Sequence, residues 1–212
     1  MELQQAIDAD EVQALTAQWG IAPHEAYQLA VDYPFLNGTH QRLISDGRRA
    51  EICYVMHRGD LSEGVLLHRK TVYPPAAYRL PTGGIHPGEA VLATLTREIA
   101  EETGLLVGPS VDQVQVQRFL GITSYTFNHR TLGRPVAFAT YHFLVQMPLA
   151  AILDPQDPEE MVADWQWRPA RELDHVAVFL ENIGDHDPNW ADWGRFRALS
   201  QRFVGRQLRP NP

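Results

Sequence analysis

The sequence predicts a mixed α/β fold, in which a central helix interrupts a run of strands and further helices lie at both ends. Three observations carry this reading. Residues 135–147, PVAFATYHFLVQM, and residues 50–58, AEICYVMHR, are dense in β-branched and aromatic residues and are bounded by turn-forming segments. Residues 90–103 contain neither glycine nor proline and stop at Gly104, a natural helix terminator. The composition, 44% hydrophobic and 21% charged over 212 residues, is that of a globular chain with room for one domain and its extensions.

Residues 2–18 have helical character, and PHEAYQLAVDY (23–33) reads as a second helix; Pro34 through Gly47 is a connection. The strand at 50–58 turns at GDLSEG into a second strand, 64–70. The proline-rich TVYPPAAYRLPTGG is a loop that leads into the central helix. Beyond that helix, residues 111–127 alternate as a strand, NHRTLGR turns, and 135–147 forms the strongest strand of the chain. LDPQDPEE is an acidic loop, MVADWQWRP a short strand, ARELDHVAVFLENI a helix, and WADWGRFRALSQRFV a last helix with a basic tail. The expected organisation is an N-terminal helical extension (1–45), a catalytic core (46–180) and a C-terminal helix and tail (181–212). The extension is expected to lie outside the core and either to make a homodimer contact or to cover one face; the last helix is expected outside the compact core as well.

The net charge of −8 argues against a general nucleic-acid binder, which would carry a basic patch. Anionic small molecules stay open, because a bound metal inverts the local field. Cys53 is the single cysteine, so no disulfide forms within the chain, and its apolar neighbours mark it as a buried thiol. The N-terminal MELQQAIDADEV lacks the basic and apolar regions of a signal peptide. The longest apolar stretch, FLVQMPLAAIL, is too short to span a bilayer and holds a proline. A cytoplasmic protein without a membrane partner is expected.

The chemistry concentrates in residues 83–105, GGIHPGEAVLATLTREIAEETGL. Glycines at 83, 84 and 88 and Pro87 shape a loop ahead of the helix. At about 100° per residue, Glu98, Glu101 and Glu102 share one helix face, with Leu92, Leu95 and Ile99 beside it. Like charges one turn apart cost a helix roughly 0.2–0.5 kcal/mol, and Glu102 opposes the macrodipole as well. A solvated charged face is one reading. A hard divalent cation, which takes oxygen ligands and offsets the repulsion, is the other.

The spacing decides between them. Gly83, Glu89, Arg97, Glu98, Ile99, Glu101, Glu102, Gly104 and Leu105 fill every specified position of the pattern G-x5-E-x7-R-E-U-x-E-E-x-G-U, with U aliphatic. This resembles the signature of the Nudix hydrolase family. The resemblance implies an α/β/α sandwich around a mixed sheet and hydrolysis of a small diphosphate compound, of the nucleoside diphosphate-X type, with Mg²⁺ or Mn²⁺ as cofactor. It implies metal ligands at Glu98, Glu101 and Glu102, with the backbone carbonyl of Thr82 as a further donor. It gives Gly83, Glu89, Arg97 and Gly104 roles in fixing the loop against the helix. Glu98 is also placed like the general base of some members. In others the base sits on a late loop, which makes Glu160 or Glu159 of LDPQDPEE a candidate. Arg79 and His86 border the glycine loop and are candidates for phosphate contact. Tyr73, Tyr78, Tyr125 and Phe127 are candidates for stacking on a base, against the plainer reading of core aromatics. The leaving group is not readable, since the region that carries a marker proline in ADP-ribose hydrolases reads FLGIT. A catalytically silent ligand-binding protein of the same fold would have lost box glutamates, and none is lost.

Overall fold

The strand β2 (Ala50–Arg58) sets the layers of the molecule. Its side chains alternate, Ile52, Tyr54 and Met56 to one face and Cys53 and Val55 to the other, and all are fully buried. A strand buried on both faces belongs at the centre of a sheet covered by helices on either side. The structure, a computed structural model, describes residues 6–38, 43–44, 47–130 and 132–209. In it β2 sits among seven strands in the order β1 (His24–Val31), β5 (Gln115–His129), β6 (Pro135–Met147), β2, β3 (Val65–Lys70), β7 (Val162–Arg168), with β4 (Thr82–Ile85) paired to β2. β1 runs parallel to β5 and β2 parallel to β6; the other pairings are antiparallel, so the sheet is mixed.

Helices α1 (Ala9–Trp19) and α3 (Val91–Thr103) cover one face. Leu15, Val91, Leu95 and Ile99 pack there against Ile52, Tyr54, Met56, Tyr141 and Phe143. Helices α4 (Leu173–Glu181) and α5 (Ala191–Gln207) cover the other, with the short α2 (Tyr33–Asn37) beside them. Phe196 and Ala198 pack on Tyr125, Phe127 and Phe138, while Phe203 and Leu173 pack on Cys53, Val55 and Leu67. This is the α/β/α sandwich that the sequence implies, with helices at both ends of the chain. Tyr125, Phe127, Trp190 and Trp193 are core residues rather than stacking platforms.

Three expectations are corrected. Residues 23–33 do not form a helix. Tyr27, Leu29 and Val31 turn inward and alternate with exposed neighbours, and β1 pairs with β5 over eight residues. Glu, Ala, Gln and Leu favour a helix locally, but pairing along a free strand edge overrides that preference. The segment ahead of residue 46 therefore adds a strand to the sheet, and α1 covers one face of its own chain. The last helix is not peripheral, since Phe196 and Phe203 of α5 are fully buried. Finally, the glycine loop is part of the sheet: Cys53, Ile52, Glu51 and Ala50 pair with Thr82, Gly83, Gly84 and Ile85. Parts of the expected N-terminal helix (residues 2–5), the connection (39–42, 45–46), the 128–134 turn (131) and the tail (210–212) lie outside the described residues. Among the described residues, no helix is long and apolar enough to cross a membrane.

A buried ion pair ties α5 to the sheet. Arg197 Nη1 donates to Glu51 Oε1 at 2.6 Å, and Thr140 Oγ1 donates to the same oxygen at 3.0 Å. Removing one partner of a buried pair strands the other charge. Arg197→Met is expected to cost about 3 kcal/mol of unfolding free energy in urea denaturation. A loss below about 1 kcal/mol would mean that Glu51 finds another partner or a proton.

Candidate active site

The catalytic face is built on α3, and both ends of that helix are held from outside it. Ala90 at the N-cap has no capping side chain. Val91 N donates instead to Glu11 Oε1 of α1 at 3.0 Å, and Arg49 holds the other oxygen of Glu11. A cap of this kind stabilises a helix by about 1 kcal/mol. At the far end Gly104 takes the left-handed conformation at φ 74°. A Cβ there would also lie 2.3 Å from the carbonyl oxygen of Asp154, so only glycine fits. The acidic loop docks on the carbonyls that the helix end leaves open. Asp154 N donates to Thr103 O and Gln156 N to Glu101 O, both at 2.9 Å. This docking carries Glu160 back over the helix.

Arg97 organises the acids. It makes five hydrogen bonds: to Glu89 Oε1 (2.8 Å) and Oε2 (3.0 Å), to the carbonyl of Gly84 (2.9 Å), to Glu98 Oε1 (2.7 Å) and to Glu101 Oε2 (2.8 Å). One guanidinium thus fastens the glycine strand, the loop and the helix together. The Arg97 hydrogen bonds hold the Glu89 carboxyl down at about 2. Glu98 lies flat against β4. A Cβ on Gly83 would sit 1.9 Å from the Glu98 side chain, so the glycine makes the space that the carboxylate occupies.

The result is a cleft of about 290 Å³ beside α3. Glu98, Glu101 and Glu160 line it with acids, and oxygen atoms from all three lie within 4.8 Å of one another. Arg48, Lys70 and His86 line the same cleft with bases. Thr82 also lines it, and its hydroxyl accepts from Arg79 at 2.9 Å.

Not every expected residue reaches the cleft. Glu102 is fully buried behind it, where it accepts a hydrogen bond from the Tyr54 hydroxyl at 2.5 Å. Arg79 is buried and donates to Leu80 O, Thr82 Oγ1 and the Tyr73 hydroxyl, so it braces the strand and does not line the cleft. Glu159 is exposed on the late loop and turned away, whereas Glu160 faces in. The sequence reading passed over Lys70 and Arg48. Lys70 was findable, because it follows Leu66 and His68 at period two on β3; nothing in the sequence marks Arg48.

Burial, reinforced by the nearby Glu102, pushes the Glu98 carboxyl up to about 8. Burial raises Glu102 too, against the pull of Lys70. At Glu160 burial acts the same way, but the Lys70 ammonium outweighs it and holds the carboxyl below its ordinary value. One ammonium serves two carboxyls, of which Glu160 is the less buried. His68 lies 3.7 Å from Glu102 yet is kept neutral by burial and by the surrounding cations, so the two do not form an ion pair. Crowded, oxygen-only carboxyls are a donor set suited to Mg²⁺ or Mn²⁺.

The NUDIX domain family model matches residues 47–193. The chain belongs to the Nudix family. No curated protein matches it. Among solved structures it is similar to an Ap4A hydrolase of C. elegans in a binary complex, at 16% identity and a TM-score of 0.45, over 69% of this chain and 96% of that one. It is similar as well to the E. coli dihydroneopterin triphosphate pyrophosphohydrolase, at 17% identity and a TM-score of 0.41, over 61% of this chain and 84% of that one. β1, α1 and most of α5 lie outside the stretch matched to the Nudix family.

The raised Glu98 pKa has a measurable consequence. A free glutamate ionises near 4.5. Between that pH and about 8 the unfolded chain has released a proton that folded Glu98 still holds, so this group's contribution to stability falls as pH rises. Buried neutral histidines act in the opposite sense below about pH 6.5, so the comparison is made against Glu98→Gln. Without divalent cations, the wild type is expected to lose thermal stability relative to that variant from pH 5 to pH 8, and Mg²⁺ is expected to restore it. A difference in Tm that stays flat across this range would contradict the assignment.

Proposed function

We propose that this protein is a cytoplasmic, metal-dependent pyrophosphohydrolase that cleaves a diphosphate linkage in a nucleoside diphosphate-X type substrate, with water as the nucleophile. The observation that carries this reading is the convergence of Glu98, Glu101 and Glu160 in a cleft that also presents Arg48, Lys70 and His86. Membership of the Nudix family supports hydrolysis of a pyrophosphate bond in general; the nucleotide character of the substrate and the identity of the cation are part of the proposal.

Glu98, Glu101 and Glu160 are the residues that would hold Mg²⁺ or Mn²⁺, with the Thr82 backbone carbonyl as a further oxygen donor. Such a cation neutralises charge on the phosphate oxygens and lowers the pKa of bound water. Arg48 supplies positive charge and His86 a hydrogen-bonding ring for the phosphate chain, which needs mainly positioning and electrostatic stabilisation. Arg97 lines the cleft with its hydrogen bonds already directed to Glu89, Gly84, Glu98 and Glu101. It keeps Glu98 and Glu101 in place against their mutual repulsion. Glu98 is the general base: Arg97 holds its Oε1, which leaves Oε2 to take the proton from water. Glu160 is committed to Lys70, and Glu159 does not line the cleft.

The test is a hydrolysis screen over nucleoside diphosphate derivatives and dinucleoside polyphosphates with Mg²⁺ or Mn²⁺. Turnover of at least one compound is expected, abolished by excess chelator and reduced on the order of 10²-fold or more in Glu98→Gln. Turnover that persists in chelator would exclude the metal mechanism.

A further inference from the structure

Glu160 reaches the cleft from a short turn whose two ends are fastened to different elements. At one end Gln156 N and Asp157 N donate to the carbonyl of Glu101 in α3, at 2.9 and 3.3 Å. At the other, Thr71 N, just past β3, donates to Met161 O at 2.9 Å. Between Asp157 and Met161 stand Pro158, Glu159 and Glu160, which form a single 3₁₀ turn. Asp157 closes this turn twice: its Oδ1 accepts from Glu159 N at 2.8 Å and its carbonyl from Glu160 N at 3.2 Å. Met161 then reverses the chain in the left-handed region, at φ 51° and ψ 33°. Such a conformation is strained for any residue with a side chain. Met161 is 43% exposed, so packing of its side chain does not account for the strain. The direction given to Glu160 does.

We propose that Asp157 and Met161 are positioning residues for Glu160. The side-chain cap at 157 and the left-handed turn at 161 hold the Glu160 carboxylate inside the cleft, in reach of Glu98 and Glu101, ahead of any cation. The proposal rests on the metal reading given above and adds the device that makes the third donor available. Glu160 is brought toward two other carboxyls, and mutual repulsion favours its release to water. A turn fixed from both sides opposes that release, so ordering the loop does not have to be offset when the ion binds. Asp157 lines the cleft, yet it is not one of the three carboxyls that converge there, and its Oδ1 is spent on the turn. Its role is therefore shape and not charge. Asparagine caps as well as aspartate and carries no charge. Glycine takes a positive φ without strain, and a β-branched residue resists it.

These contrasts set the test, which needs no substrate. Mn²⁺ affinity is read by the electron paramagnetic resonance of unbound Mn²⁺, and exchange of the Glu160 amide hydrogen is followed in the metal-free protein. Asp157→Ala and Met161→Val are each expected to weaken Mn²⁺ binding roughly 5-fold, the loss that one side-chain cap represents, and to speed the exchange. Asp157→Asn and Met161→Gly are expected to stay within about twofold of wild type in both readouts. Unchanged Mn²⁺ affinity in Asp157→Ala and Met161→Val would overturn the positioning proposal and leave the metal reading standing. So would an Asp157→Asn variant as weak as Asp157→Ala, because charge would then be what Asp157 supplies. Wild type that binds no Mn²⁺ would overturn the metal reading and this proposal with it. Should Met161→Val fail to fold, the two Asp157 variants decide by themselves.

Discussion

Like charge held at close range is the constraint on which the rest of this structure depends. Four glutamates, at 98, 101, 102 and 160, crowd one end of α3, and two of them are nearly or fully out of water. Such a cluster persists only when compensating charge is fixed beside it. Arg97 supplies that charge on the open side and Lys70 on the core side. Each cation is in turn placed by the sheet: Arg97 grips the carbonyl of Gly84 in β4, and Lys70 ends β3. The geometry of the acids is therefore a property of the sandwich as a whole and not of the helix alone.

The scaffold around the Nudix match takes part in this. Glu11, from a helix that precedes the matched residues, caps the catalytic helix, and Arg49 links that cap to the backbone of Glu89. At the other end, the carbonyls of Glu101 and Thr103 receive the loop that brings Glu160. On the opposite face of the sheet, Arg197 locks α5 onto Glu51 of β2, one residue from Ile52, which pairs with Gly83. A few backbone hydrogen bonds and one ion pair hold the Glu160 loop.

The sequence made some of this legible for plain reasons. The glutamate helix and its glycine loop could be read because spacing on a helix fixes which side chains share a face, and because Gly83 and Gly104 stand where any side chain would collide. The strong strands could be read from their composition, and residues 135–147 were placed to the residue. β1 could not, since its residues favour a helix and only the unpaired edge of β5 makes a strand of it. Glu102 was grouped with the metal ligands because the family resemblance places it with Glu98. Yet it lies about 40° around the helix from Glu98 toward Leu95 and Ile99, and the structure buries it with them. Arg48 enters the cleft from just ahead of β2, a placement that periodicity in a single segment does not encode.

The central claim is that a divalent cation belongs among Glu98, Glu101 and Glu160. Anomalous scattering from a crystal of the protein grown with Mn²⁺ tests it most directly. The account predicts a strong peak bounded by the carboxylates of Glu98, Glu101 and Glu160. No peak in the cleft would contradict it.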